Sequence, residues 1–220
     1  MTHDDHPAAE DLRERFARTL RAASGHADAP ADPYPYADNL LARWSEPHRK
    51  YHTVTHLAAV LDHIDVLEEH AARPELVRLA AWFHDAVYRP DRSENEERSA
   101  ALAERALTEA GVGPEGVAEV ARLVRLTVTH DPADGDANGE ALCDADLAIL
   151  AAPTPAYAAY TKAVRAEYAF VPDEAFREGR AGVLRQLLDL PRLFRTSYGR
   201  SQWESAAREN LTAELDLLTP

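Results

Sequence analysis

Three stretches of this chain place metal-binding side chains in an ordered series. Tyr51-His52-Thr53-Val54-Thr55-His56 supplies two imidazoles, and Trp82-Phe83-His84-Asp85 supplies an imidazole beside a carboxylate. Cys143-Asp144-Ala145-Asp146-Leu147 supplies two further carboxylates. Imidazole nitrogen with carboxylate oxygen is a borderline-hard donor set, suited to a divalent Mn, Fe, Co, Ni, Zn or Mg ion rather than to a thiolate-seeking metal. The His84-Asp85 pair lies in an apolar run, Leu79 to Phe83 before it and Ala86-Val87 after it. Two ionisable groups are costly to bury there unless something pairs with them. The candidate metal ligands are therefore His56, His84, Asp85 and Asp146.

The elements that must carry these groups read as helices. His52 and His56 are four residues apart, roughly 40° around a helix, so they share one face if the helix begins by His52. His84 and Asp85 are neighbours and point about 100° apart. They serve one ion only if it sits between their two directions, near a helix end. Ligands from three helices would converge in the middle of a bundle, a frequent place for a metal site.

The rest of the pattern agrees. Leu12, Phe16 and Leu20 repeat at helical spacing; Leu57, Val60, Leu61, Ile64 and Leu67 form one apolar stripe, and Leu76, Leu79, Ala80 and Phe83 another. Ser93 with Glu96 reads as a capping box opening a helix from Asn95 to Glu109, and Ser201 with Glu204 as one opening the last helix through Leu217. Thr154-Pro155 and Gly113-Pro114 read as helix starts, and Gly111 as a helix C-cap. Residues 29–35 form a Pro-rich connector, residues 131–140 a polar loop, and no strand pattern or internal repeat is found. Trp44, Trp82 and Trp203 read as core. Two formal motifs fail in context. Gly111-Val112-Gly113-Pro114-Glu115-Gly116 follows a helix where a dinucleotide fingerprint needs a strand. The loop starting at Asp134 has Ala145 where a calcium loop needs glutamate.

At these residues the chain resembles the HD superfamily of metal-dependent phosphohydrolases, and within it the bacterial predicted metal-dependent HD phosphohydrolases. Their pattern is Tyr-His-x-x-x-His, Trp-Phe-His-Asp-x-Val-Tyr and Asn-Glu-x-x-Ser-Ala. It is met here by Tyr51 to His56, Trp82 to Tyr88 and Asn95-Glu96-Glu97-Arg98-Ser99-Ala100, and the likeness continues through Asp144 to Leu147 and Arg165-Ala166-Glu167-Tyr168. The chain is more distantly similar to cyclic-nucleotide phosphodiesterases. Thr53 stands where those enzymes carry asparagine, and the chain is much shorter than their catalytic domains, which argues against a cyclic nucleotide.

The resemblance implies an all-α, HD-type helical bundle that hydrolyses a phosphate ester or anhydride in a small, nucleotide-like substrate. It assigns proton donation to His52 and ligation to His56, and its Ala-Asp-Leu pattern selects Asp146 over Asp144. Asp85 is then both a ligand and a catalytic group able to bridge to a second ion. Arg165 and His130 are the candidate substrate contacts. The alternatives are an HD-type di-iron oxygenase, which needs further histidine ligands, and a nucleotide-binding sensor without catalysis.

Composition sets bounds. The 220 residues read as one domain, with residues 1–35 a peripheral helix and connector. The net charge of −14, from 24 basic against 38 acidic residues, argues against a nucleic-acid partner. It leaves room for a small phosphorylated molecule, because a divalent ion reverses the local field, and for a homo-oligomer. Cys143 is the only cysteine, so no intrachain disulfide forms. Residues 1–15 lack the apolar stretch of a signal peptide, and no apolar run has the length of a membrane span, so a cytoplasmic protein without membrane contact is expected.

Overall fold

The computed structural model describes residues 7–25 and 31–219. These residues form eleven α-helices and one 3-10 turn, and contain no strand, so the chain is all-α as expected. The first seven helices are α1 (Pro7–Ser24), α2 (Tyr34–Trp44), α3 (Val54–Val66), α4 (Pro74–Phe83), α5 (Asn95–Glu109), α6 (Pro114–Leu126) and α7 (Ala137–Leu147). The 3-10 turn Ala148–Ala151 leads to α8 (Thr154–Glu167), α9 (Asp173–Asp189), α10 (Ser197–Gln202) and α11 (Glu204–Leu218).

Helix α4 is the centre of the architecture. Proline at its start costs no hydrogen bond, and Leu76, Val77 and Leu79 through Phe83 are all buried. Apart from Glu75 and Arg78 the helix is apolar; so much apolar surface on a short helix must be enclosed, and α1, α3, α5, α6 and α7 all pack on it. Helix α3 instead buries one face, carrying His56, Leu57, Val60, Leu61 and Ile64. Helix α1, expected at the periphery, contributes the fully buried Leu12, Phe16 and Leu20 to the same cluster. The ring of Phe16 meets Trp82 edge-on at 5.1 Å. A second buried cluster joins Leu150, Tyr157, Leu184, Leu193, Phe194 and Leu211, and Trp203 packs against both.

Helix ends follow local chemistry in some places and tertiary demand in others. Gly111, at φ 82°, closes α5. Val112 N–H donates to Leu107 at 2.9 Å and Gly111 N–H to Thr108 at 3.1 Å, the paired bonds of a Schellman motif. Gly113-Pro114 opens α6 as expected. The expected box at Ser93 and Glu96 does not form, since α5 is preceded by Glu94 without a side-chain cap. Nor does Thr154 cap α8, which it begins after Pro153. Ser201 lies inside α10, its hydroxyl donating to Tyr198 O. Glu204 accepts from Leu193 and Phe194 N–H, so tertiary donors outcompete the local cap. The polar loop ends sooner than expected, because Asp136 caps α7 by accepting from Gly139 N–H at 3.0 Å. Of the expected connector, residues 29 and 30 lie outside the described residues. Among the described residues no helix is long and apolar enough to cross a membrane.

Candidate metal centre

His84 caps the C-terminal end of α4, with its Nδ1–H donating to Ala81 O at 2.8 Å. In the neutral ring that bond puts the lone pair on Nε2, the arrangement common behind metal-ligating histidines. His56 projects from the first turn of α3, and Asp146 from the last turn of α7. Trp44 backs both imidazoles, with ring centroids at 6.1 Å from His56 and 5.4 Å from His84, and its Nε1–H is anchored on Trp82 O.

One ligand atom from each of His56, His84 and Asp146 lies within 4.8 Å of the others. Asp146 Oδ1 is 3.0 Å from His56 Nε2 and 3.6 Å from His84 Nε2. Neither Nε2 makes a hydrogen bond, although both are buried. An unsatisfied buried nitrogen costs roughly 1–3 kcal/mol, and two that face one carboxylate oxygen fit a shared cation. The surrounding charges act differently on the three residues. Burial opposes a charge on His84, but Asp85 and Asp146 outweigh it and raise its pKa well above the ordinary value. Burial would raise Asp146, but His84, His130 and His56 hold it well below the usual carboxylate range. Burial lowers His56, a pull that Asp146 only partly offsets. The ionised Asp146 and the neutral His56 are in the protonation states a ligand needs, whereas His84 would have to give up the proton that the two carboxylates favour.

Asp85 stands apart from that three-residue group. Its Oδ2 is 3.3 Å from His84 Nε2 and 3.9 Å from His52 Nε2, so it lies between the cluster and His52. His52 arrives by a different route from the one its spacing suggested. Helix α3 begins only at Val54, and His52 sits in the turn before it. Glu167, at the end of α8, holds that turn. Its Oε1 accepts the N–H groups of Lys50, Tyr51 and His52 at 2.7, 2.8 and 3.0 Å. Its Oε2 accepts His52 Nδ1–H at 2.7 Å and the Tyr88 hydroxyl at 2.9 Å. Burial alone would raise Glu167, but the hydrogen bond and charge of His52, with the backbone donors, bring its pKa down to about 2.

The remaining expected residues divide. His130, at φ 50°, places Nε2 2.7 Å from Asp146 Oδ2, so it secures the far oxygen of that carboxylate. Arg165 turns elsewhere. Its guanidinium bonds Tyr168 O and Val171 O, pairs with Asp173, and lies 4.7 Å from the Phe176 ring centroid. It straps the turn after α8. Asp144 likewise points away, accepting Arg195 and Thr196 N–H, both at 2.8 Å.

Several supporting residues were not anticipated. Buried Arg49 lies 5.4 Å from the ring centroids of both Trp44 and Tyr88 and donates to His52 O at 3.1 Å. Asn95 brackets the loop after His84-Asp85 through Arg89 and Arg92, and Ser99 does so through Val87. Asn95 and Ser99 were visible as part of a motif, and Glu167 sat in the same Arg165-Ala166-Glu167-Tyr168 segment from which Arg165 was preferred. No arithmetic of spacing links residue 167 to residue 52. Comparison of the chain with protein-family profiles, curated proteins and solved structures returns no match.

Proposed function

We propose that this chain is a metal-dependent phosphohydrolase of HD type, cleaving a phosphate ester or anhydride in a small, nucleotide-like substrate. The observation that carries the reading is the pair of unpartnered Nε2 atoms of His56 and His84, facing Asp146 in a buried pocket. A divalent ion held by these three residues, with Asp85 beside them, supplies Lewis acidity and a nucleophilic oxygen near neutral pH. The chain's own groups supply the rest. Glu167 fixes His52 by Nδ1, which leaves Nε2 facing Asp85 and the centre. A proton held at Nε2 is then available to the departing oxygen, as general-acid catalysis requires. His130 keeps Asp146 from rotating out of line.

The test is metal analysis of the purified protein, with phosphate release measured anaerobically in Mn, Co, Ni, Zn or Mg. About one or two ions per chain and release of phosphate are expected, and His84→Ala with Asp85→Ala should remove both. Activity that demands iron and oxygen, with no phosphoryl substrate turned over, would move the assignment to an oxygenase.

A further inference from the structure

Beside the centre, α3 and α8 stand apart around a cavity of about 310 Å³, which His56 and Asp146 line at its inner end. Its size is at the bottom of the roughly 300–1,000 Å³ span of small-molecule pockets. Short side chains, Ala59 from α3 and Ala156, Ala159 and Ala163 from α8, line it together with the larger Val60, His63, Ile149 and Tyr160. Positions 156, 159 and 163 share one helical face, so their shortness makes a slot. Ala59, Ala156 and Ala159 are exposed and mark its mouth.

Two further features bear on what enters it. Tyr51 lies between the inner end and α8, with ring centroids 4.7 Å from both His56 and Tyr160. Its hydroxyl is buried and has no hydrogen-bond partner, so a polar atom at the head of the slot would satisfy it. Lys50 is the only lysine or arginine among the described residues that line the cavity, and its ammonium also donates to Pro47 O at 2.9 Å. Chains of phosphates are held by several cations or a bidentate arginine, and a net charge of −14 opposes them further.

Resting on the phosphohydrolase reading, we infer that the slot takes the organic part of a phosphomonoester: one phosphoryl group at the centre, Tyr51 bonding an oxygen beside it, and a compact, flat or apolar group between α3 and α8. A polyphosphate finds only Lys50 as a cation along this lining, which disfavours it against a monoester.

The test separates binding from turnover by using phosphonates, whose P–C bond is not hydrolysed. The Mn-loaded protein is titrated with methylphosphonate and phenylphosphonate. Phenylphosphonate should bind at least ten-fold more tightly. Ala163→Phe, which fills the slot, should cut that preference below three-fold with metal content retained. Ala159→Trp, at the exposed mouth, serves if the first variant does not fold. Tyr51→Phe should weaken both ligands several-fold. Equal affinity for the two phosphonates, or a preference that survives both slot-filling variants, overturns the inference. Preferential binding without phosphate release from phenyl phosphate keeps the slot and removes the hydrolase. Release from adenosine triphosphate as fast as from phenyl phosphate, in wild type and variants alike, keeps the hydrolase and removes the slot.

Discussion

His52 Nδ1 is committed to Glu167, whereas His56 Nε2 makes no hydrogen bond and faces Asp146 Oδ1 at 3.0 Å. Loss of each ring should therefore read differently. His52→Ala is expected to keep its metal and lose roughly 10²–10⁴ in rate, the usual range for a missing general acid. The loss should shrink for an aryl phosphate whose leaving oxygen needs little protonation. His56→Ala should lose metal and activity together. If His52→Ala empties the site as well, His52 is a ligand and the division of labour is wrong. Glu167 carries a separate prediction. Its folded pKa of about 2 lies below its ordinary 4.5. Its contribution, roughly 3 kcal/mol, is therefore full above about pH 4.5 and fades as the pH falls toward 2. Urea midpoints measured from pH 7 down to pH 3 should fall more steeply for wild type than for Glu167→Gln; parallel curves would count against this account. The histidines and Asp85 were legible because type and spacing speak for chemistry. Glu167 was not, because its importance lies in the five groups that converge on it from residues 50–52 and 88.

At the scale of elements, apolar stripes were the reliable signal. The faces of α3 and α4 were readable because burial repeats at the helical period. Helix α5 begins at Asn95 and ends at Glu109 as expected, though without the Ser93 cap; the start of α11 was not readable, because a capping pattern is a local offer that a distant donor can outbid. Glu204 shows this, serving Leu193 and Phe194 rather than Ser201. The Schellman turn at Gly111 was legible because only positive φ closes it cheaply. Gly111→Ala should cost about 1 kcal/mol, seen as a lower denaturation midpoint with metal content unchanged. Gly199 is a tighter case. A Cβ there would come within 2.6 Å of Asp144 Oδ2 and 2.7 Å of Phe194 Cβ. Gly199→Ala should accordingly cost more than Gly111→Ala, and the reverse order in chemical denaturation would show that the α10 region yields easily.

Across the whole molecule, the centre joins α3, α4 and α7, which otherwise meet through apolar packing and a few polar contacts such as Arg78–Asp65 and His63–Ala145 O. A ligand present at about a hundred times its dissociation constant adds roughly 2.7 kcal/mol. For a chain of this size that corresponds to about 5–10 °C in melting temperature. Chelation should lower the melting temperature by that amount, and His84→Ala should abolish the difference; an identical shift in the variant would place the ion elsewhere. The bond from Glu167 back to residues 50–52 has a consequence in time. It spans 115 to 117 positions, whereas the three clustered ligands are all present once Asp146 has been made. At roughly 5–20 residues per second, a growing chain waits roughly 6–23 s between making His52 and making the carboxylate that holds it. On the ribosome, His56, His84 and Asp146 therefore exist as a set before His52 has its anchor.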